Sequence, residues 1–291
     1  IAPGVNLSLE ALHTGTAALP HVDITQPDRV VGTNTVACIQ SGIFWGYVAM
    51  IEGLIQRVKN ELGKPMIVIG TGGFASFPIV FISSILRIPT LIQEQNSFPG
   101  ISNRLLSNYV NYISVAYDKM EKYFPSKKLF LTGNPIRESI ANSNNLVDLK
   151  KELNIEESKI IILILGGSLG SDKINRTIEK NIDFINSKNA FIIWQCGKIY
   201  FNDYKKYNSN SVFVTDFIED IDSTYYSSDI IVARSGALTL SELAVVSKPA
   251  ILIPSPNVAE NHQLENARKI EEKHACICVE EKDLDLIFRN K

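Results

Sequence analysis

The chain has 291 residues, 45% apolar and 21% charged, with 29 Lys and Arg against 31 Asp and Glu for a formal net charge of −2. This composition supports a sizeable core in one large or two smaller domains and excludes a disordered polymer. Near-neutrality gives no overall basic field to hold nucleic acid. The longest uninterrupted apolar run, Ile160–Leu165, falls far short of the roughly 20 residues that span a bilayer. With no apolar leader and small-residue cleavage site in view, a cytoplasmic location is expected.

Composition shifts along the chain: residues 1–65 hold 3 Asn and 2 Lys, residues 101–291 hold 19 Asn and 18 Lys. Such a change marks a domain boundary, a fusion or a segment of different origin. In chain order, 44–58 reads as a packed amphipathic helix. A strand at 66–69 runs into Gly70-Thr71-Gly72-Gly73, followed by a helix at 79–86, a strand at 90–93, a helix at 100–109 and a strand at 112–116. Residues 142–145 form a polar linker. Beyond it, 160–165 reads as a buried strand from its continuous Ile and Leu content. It enters Gly166-Gly167-Ser168-Leu169-Gly170-Ser171 and a helix to about 185. Strands at 191–195, 212–215, 230–233 and 250–253 complete the pattern, with a helix at 235–246. Strands alternating with helices predict a parallel, doubly wound α/β sheet.

Glycine-rich turns from strand to helix are the natural anion sites of such a sheet, because backbone and helical N–H groups can approach a phosphate closely. Three occur, at 70–73, 166–171 and 235–239. None is a dinucleotide fingerprint or a Walker loop, and any tight turn favours glycine. The run Arg234-Ser235-Gly236-Ala237-Leu238-Thr239-Leu240-Ser241-Glu242 is more informative. Ser235 could cap the helix, and Thr239 and Glu242 share a helical face. A hydroxyl for a phosphate and a carboxylate for a ribose diol suit a nucleotide diphosphate sugar; alternatively Glu242 only complements the helix N-terminus. Arg137 could meet a phosphate or form a surface ion pair. Glu260, Asn261, His262, Gln263 and Asn266 could bind sugar hydroxyls, with His262 a hydrogen-bonding residue rather than a metal ligand. The four cysteines, Cys38, Cys196, Cys276 and Cys278, lack metal-ligand spacing and are expected to be reduced. Neither a Ser/His/Asp or Cys/His arrangement nor a glycosidase carboxylate pair is recognisable.

Seven motifs in order, GTGGFASFP (70–78), IPTLIQEQNSFPGISNRLLS (88–107), LTGNPIR (131–137), ILGGSLGSDKIN (164–175), TDFIEDI (215–221), SDIIVARSGALTLSELAVVSKPAILIPSP (228–256) and ENHQLENA (260–267), carry a resemblance. From about residue 67 to 288 the chain resembles the MurG family of bacterial N-acetylglucosaminyltransferases. The resemblance implies a GT-B fold of two Rossmann-like domains facing across a cleft, here with an incomplete N-terminal one. It implies transfer of GlcNAc from UDP-GlcNAc to the muramyl 4-hydroxyl of lipid I, giving lipid II, with inversion and without metal or cofactor. It assigns the donor site to Asn96, Arg137, Ser168, Ile218, Ala237, Leu238, Thr239, Leu240, Ser241, Glu242, Gln263 and Asn266. The backbone of Ile218 would read the uracil, Glu242 the ribose, and Gln263 and Asn266 the sugar hydroxyls. The family works peripherally at the inner face of the cell membrane on an undecaprenyl-linked acceptor.

Two departures stand out. The family's first glycine loop, of the form GTGGH, has no counterpart here, so no catalytic residue is assigned. Residues 1–64 instead resemble the C-terminal, actin-like portion of type III pantothenate kinases, through IAPGVNLSLEALHTGTAALP (1–20) and VVGTNTVACIQSGIFWGYVAMIEGLIQRVKNELG (30–63). Thr16 lies in a motif tied there to substrate binding, but that family's upstream phosphate loop and aspartate are absent. The expected divisions are a kinase-like fragment at 1–65, a partial acceptor domain at 66–141 and a UDP-GlcNAc-binding domain at 142–291. The join is expected at 67–73, and loss of an essential part from each family favours a non-native one. An inactive UDP-sugar-binding hybrid is the alternative to a working transferase.

Overall fold

The computed structural model describes residues 20, 22, 25, 27–73, 75–142, 146–258 and 261–287. Thr16, Phe74, Glu260, Phe288 and residues 143–145 lie outside them, as does much of the expected actin-like fragment. The described residues divide into two compact units: those up to Glu94 with Pro99–Thr132, and Gln95–Phe98 with those from Gly133 on. The division expected at 141/142 thus lies at 132/133. The cause is local: Ile140 is fully buried in the second unit's core, and the Asn134 amide donates to Ser241 Oγ at 3.1 Å.

The first unit opens with helix α1, Thr35–Leu62, longer at both ends than expected. Asn34 caps it by accepting the Ala37 N–H at 2.8 Å, and Gly63 ends it at φ +58. Its apolar residues are interrupted by Ser41 and three glycines and form no run longer than five. One 18-residue window nonetheless reaches a mean hydropathy of 1.3, enough by length and composition to cross a membrane. Here Ile51 and Ile55 are buried against Ile82 of helix α2, Ser76–Ile85. Strands β1 (Val68–Gly70), β2 (Thr90–Glu94), β3 (Tyr112–Val115) and β4 (Leu129–Leu131) pair in parallel in that order. Helix α3, Ile101–Leu106, follows β2. Val80, Ile92, Leu106 and Ile113 form the core.

The second unit carries a six-stranded sheet, β5 (Ile160–Leu165), β6 (Ala190–Gln195), β7 (Val212–Thr215), β8 (Ile230–Ala233), β9 (Ala250–Leu252) and β10 (Ile277–Cys278). All pairs are parallel, in the order β10-β9-β8-β5-β6-β7. Counted from β5, this is the 3-2-1-4-5-6 order of doubly wound nucleotide-binding sheets. Helices α4 (Asp172–Asn186), α5 (Ile221–Ser227), α6 (Ala237–Val246) and α7 (His262–Glu271) are its longest. Along β5, Ile161 and Leu163 pack with Ile231 and Leu240, whereas Ile164 packs with Ile174, Ile178 and Trp194. Burial on both faces is why this strand reads as an unbroken apolar run. Each fully buried side chain contributes about 1.5–3 kcal/mol of transfer free energy. The order reverses between β5 and β8, so the loops after them diverge and leave a crevice at the carboxyl ends of the strands.

Candidate functional site

Both glycine turns of the second unit open at that crevice. After β5, Gly167 and Gly170 adopt φ +90 and +80, a region open to glycine at little cost. Gly170 also packs directly on the loop after β6: a Cβ there would sit 2.1 Å from the Cys196 carbonyl oxygen. Ser168 is exposed at this turn. Ser171 caps α4, accepting the Ile174 N–H at 3.4 Å, and accepts from Arg234 Nη2 at 2.6 Å. The Arg234 guanidinium further donates to the Ile253 and Pro254 carbonyls, both at 3.1 Å, and pairs with Glu281. It thereby ties the ends of β5, β8 and β9 to the segment after β10.

After β8, the N-cap of α6 is Gly236 and not Ser235. The fully buried Ser235 hydroxyl instead donates to the Gln263 carbonyl at 2.8 Å. Among the described residues no side chain caps α6, and its first N–H groups, on Ala237, Leu238 and Thr239, have no side-chain acceptor there. Such a terminus carries partial positive charge and suits an anion. Leu240 contributes backbone alone, since its side chain is 4% exposed in the core. Ser241 donates to Ala237 O at 3.0 Å and accepts from Asn134.

Two turns into α6, the half-buried Glu242 accepts the Tyr225 phenol O–H at 3.1 Å through Oε2. Burial raises its pKa above the usual range and Asp222 adds to this, while the Tyr225 hydrogen bond and Arg137 oppose it. Arg137 Nη1 stands 4.0 Å from Asp222 Oδ1. Of the two roles open to Arg137 in the sequence, this geometry is that of an ion pair beside the carboxylates.

Ile218 is buried beside the crevice. Its N–H donates to Gln195 Oε1 at 3.0 Å, and Gln195 Nε2 donates to the Gly167 carbonyl at 3.2 Å. One amide side chain so fixes both loops, and it occupies the Ile218 N–H. Asn266, expected to hold a sugar hydroxyl, is 1% exposed. Its amide accepts the Ser97 N–H at 2.9 Å and donates to Asn96 Oδ1 at 3.0 Å, bracing 95–98. Gln263 Oε1 accepts the Ser255 N–H at 2.9 Å, which leaves its NH2 group for a ligand.

In the first unit, Gly72 and Gly73 follow β1 at φ +89 and +78. At the end of β2, Glu94 is 3% exposed and accepts from Asn103 Nδ2 at 2.8 Å and the Gly100 N–H at 3.1 Å. All four cysteines are free thiols, and burial pushes Cys196 up to about 11, far from a reactive thiolate. Sequence reasoning missed Tyr225, Gln195 and Asp222 as parts of the site. Asn134 was visible within LTGNPIR, but nothing in that string marks its bond to Ser241.

Residues 161–288 match the family model described as glycosyltransferase family 28 C-terminal domain, and residues 42–115 that of its N-terminal domain. Residues 1–57 match the type III pantothenate kinase model. The UDP-N-acetylglucosamine--N-acetylmuramyl-(pentapeptide) pyrophosphoryl-undecaprenol N-acetylglucosamine transferase of Flavobacterium psychrophilum is 48% identical over 242 residues, covering 81% of this chain and 64% of the relative. The protein of that name from Bacteroides fragilis is 38% identical over 253 residues, covering 83% and 67%. A crystal structure of Acinetobacter baumannii MurG superposes with a TM-score of 0.64 at 23% identity, covering 98% of this chain and 78% of that one. The fold and both halves of the match are thus those of a family 28 glycosyltransferase. The chain belongs to the MurG family within it. It spans 59% to 64% of the length of three such relatives. The two N-terminal matches overlap at 42–57, within α1.

Proposed function

We propose that the chain binds UDP-GlcNAc in the crevice of its second unit and transfers GlcNAc to the muramyl 4-hydroxyl of lipid I, giving lipid II. The observation that carries the donor half is the uncapped N-terminus of α6 with Glu242 in the second turn of the same helix. The first N–H groups of α6, with Thr239 and Ser168, would hold the diphosphate. The Glu242 carboxylate would accept from the ribose hydroxyls, the Ile218 carbonyl from the uracil N3–H, and Gln263 Nε2 would donate to the sugar. The acceptor half rests on the printed names of the relatives.

In this reading the acceptor oxygen displaces UDP from the anomeric carbon in one step. The C–O bond to the diphosphate breaks as the new glycosidic bond forms, which inverts the centre. The charge that develops on the departing diphosphate meets the α6 terminus, a preorganised electrostatic stabiliser that calls for no metal or cofactor. The hydroxyl proton must go to a base that is not assigned. Contact with the inner face of the cell membrane belongs to the same reading, because the acceptor is lipid-linked.

Titration calorimetry tests the donor site: UDP and UDP-GlcNAc should bind, and Glu242→Ala should weaken both. No binding by wild type, or unchanged binding by the variant, overturns it. Turnover with a lipid I analogue then separates a transferase from a binding protein. The second reading is favoured by the missing counterpart of the first glycine loop. An assay with ATP and pantothenate covers the kinase-like segment, where no activity is expected.

A further inference from the structure

The geometry points to Tyr225 as a positioning residue: its phenol holds Glu242 in the orientation from which the carboxylate takes up the hydroxyls of the donor ribose. The inference rests on the donor-site reading above and goes beyond it, to a residue on a different helix that need not touch the ligand.

Tyr225 lies on α5 and is 2% exposed, its ring packed in the core of the second unit. A buried phenol O–H needs an acceptor, and here that acceptor is Glu242 Oε2 at 3.1 Å. The one basic group of the cluster, Arg137, stands by Asp222 at 4.0 Å. Among the described residues, Tyr225 alone donates a hydrogen bond to the Glu242 side chain. A neutral donor suits this task. It fixes the carboxylate in one rotamer without pairing off its charge, as a lysine would. One hydrogen bond also uses only one of the roughly four acceptor positions of a carboxylate, leaving enough for a cis-diol. Without it, a half-buried glutamate with several rotamers must be ordered by the ligand itself, and affinity falls by that ordering cost.

The alternative is that Tyr225 merely fills the core, and the two roles separate by ligand chemistry. Calorimetry on the full chain would compare UDP with 2′-deoxy-UDP in wild type, Tyr225→Phe, Glu242→Gln and the double variant. Phenylalanine keeps the ring and removes the hydroxyl. The expected result is a UDP affinity lowered roughly tenfold by Tyr225→Phe, with 2′-deoxy-UDP affected less than about twofold. In the Glu242→Gln background, Tyr225→Phe should change UDP affinity no further. Glu242 faces Tyr225, Arg137 and Asp222. Removing the hydrogen bond that favours its charged form should also move the acid limb of UDP binding to higher pH. Equal loss for both nucleotides, or an unchanged preference for UDP, overturns the inference while leaving the donor site standing. A wild type with no preference for the 2′-hydroxyl overturns both.

Discussion

Gly170→Ala should unfold the second unit at markedly lower temperature, through two separable effects. At φ +80 an L side chain costs about 1–2 kcal/mol. The added Cβ would also lie 2.1 Å from the Cys196 carbonyl oxygen and 3.0 Å from Gly197 Cα. Both are backbone atoms, so no side chain can swing away, and the loops after β5 and β6 must separate. Overpacking of this kind costs about 1–3 kcal/mol, for a total of roughly 2–5 kcal/mol. At about 2–4 °C per kcal/mol for a unit of this size, Tm should fall by roughly 4–20 °C. Gly167→Ala is the internal control: its φ is +90, but the nearest atom to a Cβ is Arg234 Cγ at 4.0 Å. It should show the backbone cost alone, about 1–2 kcal/mol. The assay is thermal unfolding followed by Trp194 fluorescence in a Trp45→Phe background, since Trp194 is fully buried in the second unit. If both variants melt together, the close loop contact does not exist and the phosphate-loop geometry built on it fails. The same contact predicts a weaker UDP interaction for Gly170→Ala than for Gly167→Ala.

Gly53→Ala should stabilise the first unit by about 1 kcal/mol in denaturant unfolding, because the position is mid-helix and a Cβ there meets nothing within 4 Å. Arg234→Ala should cost the second unit about 3–5 kcal/mol, since it strands Glu281 and leaves the Ile253 and Pro254 carbonyls without their donor; a shift under 1 kcal/mol would show that the tie is decorative. Gln195→Leu should lower stability by about 1–3 kcal/mol through the unpaired Ile218 N–H, and reduce selectivity for UDP over CDP as that loop loosens. UDP affinity should fall on acidification earlier than for an ordinary glutamate. The reason is that burial raises the Glu242 pKa and only its charged form can accept from both ribose hydroxyls. Calorimetry on acidification should show a larger loss in wild type than in Glu242→Gln, which keeps only the loss that comes from protonation of the UDP phosphate.

Legibility in the sequence followed from how local each signal was. The strand Ile160–Leu165 was read to the residue, because a doubly buried strand writes itself as an unbroken apolar run. Helix α7 and the strands β4 and β10 escaped notice. His262–Glu271 is largely polar with a narrow apolar face, and Leu129–Leu131 and Ile277–Cys278 are too short for any periodicity. At the site, the glycine turns and Glu242 were visible because backbone conformation and helix position are local properties. The contacts that organise them are not: Tyr225 lies 17 residues from Glu242 and Gln195 lies 23 from Ile218. Asn266 shows the converse, a polar residue in a ligand-like motif whose amide also braces a neighbouring segment of its own unit, a contact its motif does not reveal.

Helix α1 is the element on which the two N-terminal family matches meet. The kinase-like and transferase-like matches overlap within it, at 42–57, and the helix runs through the overlap without a break. A helix satisfies its backbone locally and asks of its neighbours only a stripe at the proper spacing. Here Ile51 and Ile55 supply that stripe. A helix of this kind can therefore accept a change of sequence along its length as long as that stripe is kept. A join inside β1 would not be tolerated in this way, since a one-residue slip turns every side chain to the wrong face of the sheet.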